Sequence, residues 1–277
     1  MDKDQLHFLL KKYNLSPNKI RGQNFLVSDS ILEQIVAAAK IKEDDLILEV
    51  GPGLGALTQE LVKYGDRVVA FEIDKNFAKV LNKIKGVSNN LEIIWQDILS
   101  LSDDDWAKIL FKHKKEKYKI VANIPYYLTS KFIQKFILAQ KKPENMVLMI
   151  QKEVAERIVA KDNKNSLLSL SVAFYAKSKI ETIVTKDNFY PVPKVDSAVI
   201  NIFDIQKWPY KQEEKKTWQL IKRGFASKRK KLLNNLSTDP NLSKENIMDV
   251  FSKFGLDENI RAENLSPKDW LNLSQNL

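Results

Sequence analysis

The chain contains no cysteine among its 277 residues, which excludes disulfides and thiolate metal sites. Histidine is nearly absent as well. His7 and His113 lie far apart in polar surroundings, where both read as surface residues, so no metal site is expected. No apolar run approaches the roughly 20 residues that span a bilayer, and MDKDQLHFLLKKYN lacks an apolar signal-peptide core. The expectation is a cytoplasmic protein without a membrane anchor. Acidic charge is the minority sign, with 35 acids against 45 Lys and Arg and a net charge of +10. The excess is clustered: residues 1–23 hold five basic residues against two acids, 108–142 ten against one, and 207–231 ten against two, while the remainder is net acidic. Clusters of this kind point to a polyanion, and with no amphipathic anchor a nucleic acid is favoured over a membrane surface.

Glycine is also scarce, yet three of the eight, Gly51, Gly53 and Gly55, fall within five residues. They follow Leu46-Ile47-Leu48-Glu49-Val50, an apolar run typical of a strand buried on both faces, and precede a helix expected over 56–63. Such a loop turns sharply against a ligand and presents the free N–H groups of a helix start. Upstream, a basic arm leads into Arg21-Gly22-Gln23-Asn24-Phe25-Leu26, and Ser28 or Asp29 caps a helix over 31–39. A second strand, 67–71, ends at Glu72, where a carboxylate accepts both hydroxyls of a ribose. A third, 91–95, ends at Gln96-Asp97, and Asp97 reads equally as an acceptor for an adenine amine or as a helix cap. Asp103-Asp104-Asp105 reads as a helix N-terminus alone.

A fourth strand, 119–122, breaks at Asn123-Ile124-Pro125-Tyr126. The Asn123 amide oxygen and the carbonyl of Ile124 or Pro125 suit two N–H bonds from an exocyclic amine, and Tyr126 offers a stacking ring worth about 1–3 kcal/mol. Taken alone, this stretch is more often a plain turn. Further strands are expected over 146–150, 180–184 and 198–203, the last two antiparallel, with helices over 129–140, 152–159 and 165–176. The alternation predicts an α/β fold, a doubly wound and mainly parallel seven-stranded sheet of Rossmann-like type. After Trp208-Pro209 only helical periods remain. The expected division is therefore 1–206, a catalytic domain with its basic arm, and 207–277, a small all-α domain whose cluster Lys228-Arg229-Lys230-Lys231 contacts RNA.

A glycine loop with a distant acid is common to dinucleotide enzymes and S-adenosylmethionine (SAM) methyltransferases. The dinucleotide pattern wants a third glycine where Ala56 stands. The E-x-G-x-G-x-G form with Asp97 and Asn-Ile-Pro-Tyr resembles amino-directed SAM methyltransferases. An adenine amine is a poor nucleophile with a delocalised lone pair, so positioning, which contributes roughly 7–11 kcal/mol, matters more than a side-chain base. A target base leaves its stack to reach such a pocket, and Tyr126 with Phe189 can hold it between two rings.

Eight segments, GQNFL (22–26), EVGPGLGALT (49–58), FEID (71–74), QDIL (96–99), NIPYYLTS (123–130), QKEVAERIVA (151–160), FYPVPKVDSAV (189–199) and FASKRKKLLNNL (225–236), resemble the rRNA adenine N6,N6-dimethyltransferases of the KsgA type. The resemblance runs from about residue 20 to the C-terminus. It implies SAM-dependent dimethylation of two adjacent adenines in the 3′-terminal hairpin of small-subunit rRNA, within a pre-30S particle and by a monomer. It further implies SAM contacts at Asn24, Leu26, Gly51, Gly53, Glu72, Asp97 and Asn123, with Tyr126 and Phe189 on the adenine. Two places depart from the family pattern: Asn165-Ser166-Leu167-Leu168-Ser169 replaces Tyr-Gly-x-Leu-Ser, and Val192 replaces a proline. Other readings are an Erm-type large-subunit methyltransferase and a non-catalytic RNA-binding assembly factor. KVDSAV and KRKKLLNNL favour the small subunit over the first, and the intact cofactor set disfavours the second. A nicotinamide dehydrogenase reading lacks a substrate acid/base pair.

Overall fold

The computed structural model describes residues 1–18, 21–160, 162 and 164–277, so Lys19, counted above in the basic arm, lies outside them. Two compact units emerge, residues 1–155 with 177–205, and residues 156–176 with 206–277. The first carries strands β1 (Phe25–Leu26), β2 (Leu46–Val50), β3 (Arg67–Phe71), β4 (Leu91–Ile94), β5 (Lys119–Asn123), β6 (Asn145–Gln151), β7 (Lys177–Val184), β8 (Phe189–Tyr190) and β9 (Ser197–Phe203). Seven of them form one sheet in the order β4-β3-β2-β5-β6-β9-β7. Pairing is parallel from β4 to β6 and antiparallel through β9 to β7. The strand order reverses between β2 and β5, and ligands bind outside the carboxyl ends of strands at such a point.

Helices α1 (Lys3–Lys12), α2 (Asp29–Ala39), α3 (Ala56–Leu61), α4 (Ala78–Val87), α5 (Asp103–Lys112) and α6 (Thr129–Leu138) belong to the same unit. Because strand side chains alternate, Ile47, Val68, Val121 and Val147 join one core with Ile35 of α2, Leu57 of α3 and Leu81 of α4. On the other side, Phe71 meets Trp106 of α5, which packs on Tyr118 and on Phe136 of α6 at 5.3–5.9 Å between ring centroids. Ser102 caps α5 in a capping box with Asp105, the role expected of the Asp run.

Three local expectations change. The basic arm begins as helix α1, capped by Asp2 with Gln5, and Leu6 and Leu10 bury one turn apart. The segment 189–190, expected as loop, is strand β8 and pairs antiparallel with β1. His113 is covered, its side chain 7% exposed and 3.2 Å from Glu92, and burial lowers its pKa.

The chain continues with α7 (Lys152–Ile158), α8 (Leu167–Tyr175), α9 (Glu214–Gly224), α10 (Leu232–Leu236), α11 (Lys244–Lys253) and α12 (Pro267–Asn276). Residues 156–176, expected with the sheet, group with the C-terminal helices. Aromatic packing explains this: Phe174 of α8 lies against Trp208, Tyr210 and Trp218 at 5.3–5.7 Å. Asn165, one of the departures noted above, donates through its backbone N–H to Glu263 O and through its amide to Leu265 O (2.9 Å), which holds the start of α8 within this unit.

Candidate functional site

One cavity of about 230 Å³ lies at the carboxyl ends of β2, β3 and β5 and just beyond that of β4. Asn24, Leu26, Gly51, Gly53 and Glu72 line it, as do Asp97, Asn123, Tyr126 and Phe189. All nine residues assigned from sequence to cofactor and base are thus brought together. The basic cluster is in the other unit, with Lys228, Arg229, Lys230 and Lys231 exposed on the turn between α9 and α10. That turn is anchored by buried Asn235, whose amide donates to the carbonyls of Gly224 (2.5 Å) and Ser227 (3.0 Å).

The glycine loop is held by Glu72. Gly53, at φ +54°, donates its N–H to Glu72 Oε2 (3.0 Å), while Glu72 Oε1 accepts from Ile73 N–H (2.9 Å) and Asp74 N–H (2.8 Å). Burial pushes the Glu72 carboxyl up, and these three donors oppose the rise. At Gly55, φ is +78° and an added Cβ would stand 2.2 Å from Ile84 Cδ1, so only glycine lets α3 begin there.

Asn123 ends β5 on the cavity lining with its amide Nδ2 donating to the Asn24 carbonyl (3.3 Å), which leaves Oδ1 as the acceptor of the pair. Pro125 O already accepts Leu128 N–H at 2.9 Å with one of its two lone pairs, which leaves the Ile124 carbonyl as the less committed companion acceptor. Tyr126 is braced by a 2.8 Å hydrogen bond between its hydroxyl and Ser197 Oγ on β9. Phe189 lines the cavity from a covered position, 1% exposed, fixed by its place in β8. Asp97 Oδ1 caps a short turn through Leu99 N–H (2.8 Å), which is the cap reading, and the residue also lines the cavity.

Sequence reasoning assigned no role to Arg21, Gln23, Glu49, Asp74 or Ser197, although each stands in or beside a quoted motif. Arg21 Nη1 and Gln23 Nε2 both reach Asp74 Oδ2 at 3.0 Å, so the chain before β1 is strapped to the loop after β3. Glu49 is 1% exposed and its Oε2 has no hydrogen-bond partner. Burial pushes its pKa from 4.5 to about 8, with nearby Thr58 opposing the rise and Glu72 adding to it. A carboxyl raised in this way favours the fold most below about pH 4.5, and that contribution is lost as pH climbs toward 8. In the ligand-free protein, Glu49→Gln is therefore expected to gain on the order of 3 kcal/mol over wild type between pH 5 and pH 8.5 in urea denaturation. A constant difference across that range would show that Glu49 is already ionised.

Glu49, Glu72, Asp74 and Asp97 make much of the lining acidic, and Arg21 is the one basic side chain on it among the described residues. The lining fits SAM, with carboxylates and free acceptors for a cation that carries hydroxyls and a purine amine, while the glycine N–H groups of the loop are engaged internally with Phe71 O, Glu72 and Pro52 O. Among the described residues no cluster of His, Cys, Asp and Glu is arranged to hold a metal ion, and no helix is long and apolar enough to cross a membrane.

A doubly wound sheet that gathers this lining and an amine-accepting corner at its switch point defines a SAM-dependent methyltransferase. The family model described as "Ribosomal RNA adenine dimethylase" matches residues 14–277, and the chain belongs to that family. It is 41% identical to the "Ribosomal RNA small subunit methyltransferase A" of Dehalococcoides mccartyi (strain CBDB1) over 267 residues, 96% of this chain and 90% of the relative. It is similar to the crystal structure of a dimethyladenosine transferase from Plasmodium falciparum, with TM-score 0.71 and 29% identity over 90% of this chain and 95% of the other. It shares its fold with the 23S rRNA methyltransferase ErmE, with TM-score 0.73 and 23% identity over 91% and 99% of the two chains.

Proposed function

We propose that this protein transfers methyl groups from SAM to N6 of two adjacent adenines near the 3′ end of small-subunit rRNA. It does so in the cytoplasm, as a monomer acting on a pre-30S particle. The observation that carries this reading is the orientation of Asn123, whose Nδ2 is occupied by Asn24 O so that Oδ1 is free to accept from an amine. Oδ1 and the Ile124 carbonyl draw the two amine hydrogens, which pulls the nitrogen toward tetrahedral geometry and exposes its lone pair. Tyr126 stacks on the ring and Phe189 backs it. When bound, SAM supplies the activated methyl group. Asn24, Leu26, Gly51, Gly53, Glu72 and Asp97 bind and orient that cofactor. The amine proton leaves to water, so no histidine or cysteine is required.

The sheet-bearing unit, residues 1–155 with 177–205, carries the chemistry in this reading, and the helices of residues 207–277 in the other unit hold the RNA backbone. Neutralising Lys228, Arg229 and Lys230 together is expected to weaken RNA binding and to reduce the slope of log K against log salt by about three, one unit per lost phosphate contact. An unchanged slope would remove that turn from the interface.

The test of function is methyl transfer from labelled SAM to unmethylated 30S particles set beside protein-free large-subunit rRNA. Label is expected in adenine of the small-subunit RNA. Label confined to the large-subunit RNA would replace the reading by an Erm-type activity, and calorimetry showing no SAM binding would replace it by a non-catalytic assembly factor.

A further inference from the structure

Tyr127 follows the base-binding Tyr126 but is 58% exposed while still lining the cavity. Its ring lies beside Gly22, where an added Cβ would stand 3.9 Å from Cδ1 and Cε1. No hydrogen bond to the hydroxyl is found among the described residues. A large aromatic left uncovered at the mouth of a cavity contributes little to the fold, and its place beside Gly22 limits the freedom it loses when something stacks on it. A second observation concerns its neighbours. Residues 126–128 form a helical turn that runs into α6, so Ser130 and Lys131, three and four residues on, share a face with Tyr127. Both are exposed. Ring, hydroxyl and ammonium therefore line one solvent-facing stripe that starts at the cavity rim.

We propose that Tyr127 is the stacking platform for the nucleobase flanking the target adenine, with Lys131 contacting the adjoining phosphate. This rests on the reading of the cavity as an adenine N6 methylation site. Extruding one base leaves its neighbour with a bare face at the pocket entrance. An aromatic ring there replaces the lost stacking in a sequence-tolerant way, and a cation one helical turn away neutralises the phosphate beside it. The platform stabilises the extruded arrangement of the RNA and makes no contact with the cofactor.

Steady-state methylation of unmethylated 30S particles by Tyr127→Ala and Tyr127→Phe, with SAM affinity measured by calorimetry, tests this. Tyr127→Ala is expected to raise KM for the particle about ten-fold or more, as loss of one base stack does, with the SAM Kd unchanged. Tyr127→Phe is expected to keep KM within about two-fold, because the ring alone is used. Lys131→Gln is expected to raise KM a few-fold and to lower its salt dependence by about one phosphate contact. A Tyr127→Ala KM equal to wild type would overturn the platform, as would a weakened SAM affinity that accounts for the whole loss, since Tyr127 would then shape the cofactor cavity. Wild-type protein that binds SAM but transfers no methyl group to any rRNA would remove the underlying reading instead, and that result is visible without any variant.

Discussion

Asn123→Ala is expected to lower the single-turnover rate of methyl transfer about 10³-fold or more while leaving the Kd for the RNA particle within about three-fold. The substitution deletes Oδ1, the acceptor left on a residue that lines the cavity, and also the Nδ2 donor that secures the Asn24 carbonyl. Losing one preorganised polar contact in an active site costs about 10²–10³ in rate, and misplacement of the amine adds to it. RNA affinity spreads over many phosphate contacts and stays nearly intact. Asn123→Asp separates the two jobs, because it keeps an acceptor but sets a negative oxygen against the Asn24 carbonyl. It should lose less rate than Ala if acceptance from the amine dominates. Equal loss of RNA binding and rate in Asn123→Ala would make this residue a structural one. Rapid-quench kinetics paired with filter binding reads both quantities.

Glu72→Ala is expected to raise the Kd for SAM by about 10²–10³, measured by calorimetry. Two causes act in the same direction. The carboxylate no longer offers acceptors to ribose hydroxyls, where hydrogen bonds to charged groups contribute about 1.5–3 kcal/mol each. In addition, the N–H groups of Gly53, Ile73 and Asp74 lose their common partner, so the glycine loop and the turn after β3 loosen together. Glu72→Gln distinguishes the contributions: it keeps one carbonyl oxygen for part of the backbone set but presents an amide where a second acceptor stood. If both variants bound SAM as tightly as wild type, Glu72 would serve only the loop.

Much of this was legible because the chemistry sits at strand ends, and strand ends are marked locally. Glu72 and Asn123 each follow an apolar run directly, Asp97 follows one after Gln96, and the three close glycines announce a loop before a helix. The doubly wound, mainly parallel class followed from the alternation of strands and helices, whereas the strand order came only from the structure. What stayed hidden depends on partners distant in the chain. Nothing near Ser197 signals that it bonds the Tyr126 hydroxyl, and nothing near Asp74 signals Arg21 and Gln23. Helix α1 was missed because only Leu6 and Leu10 are buried in a ten-residue segment rich in charge. The helices expected over 152–159 and 165–176 appear as α7 and α8, but the allegiance of α8 was set by Trp208, Tyr210 and Trp218, which lie more than thirty positions later than Phe174.

The pairing of β1 with β8 has a bearing on biosynthesis. Phe25 waits for Tyr190 and Leu26 for Phe189, so one side of the cavity is stitched by residues that leave the ribosome far apart in time. At about 5–20 residues per second, many seconds separate them. Contacts so distant in sequence carry a large loop-closure cost and form late. A nascent chain halted before residue 189 would present Glu72, Asp97 and Asn123 on an already assembled parallel sheet with no ladder over Leu26. The wall of the cavity that Leu26 and Phe189 share is thus completed only after residue 190 has been made.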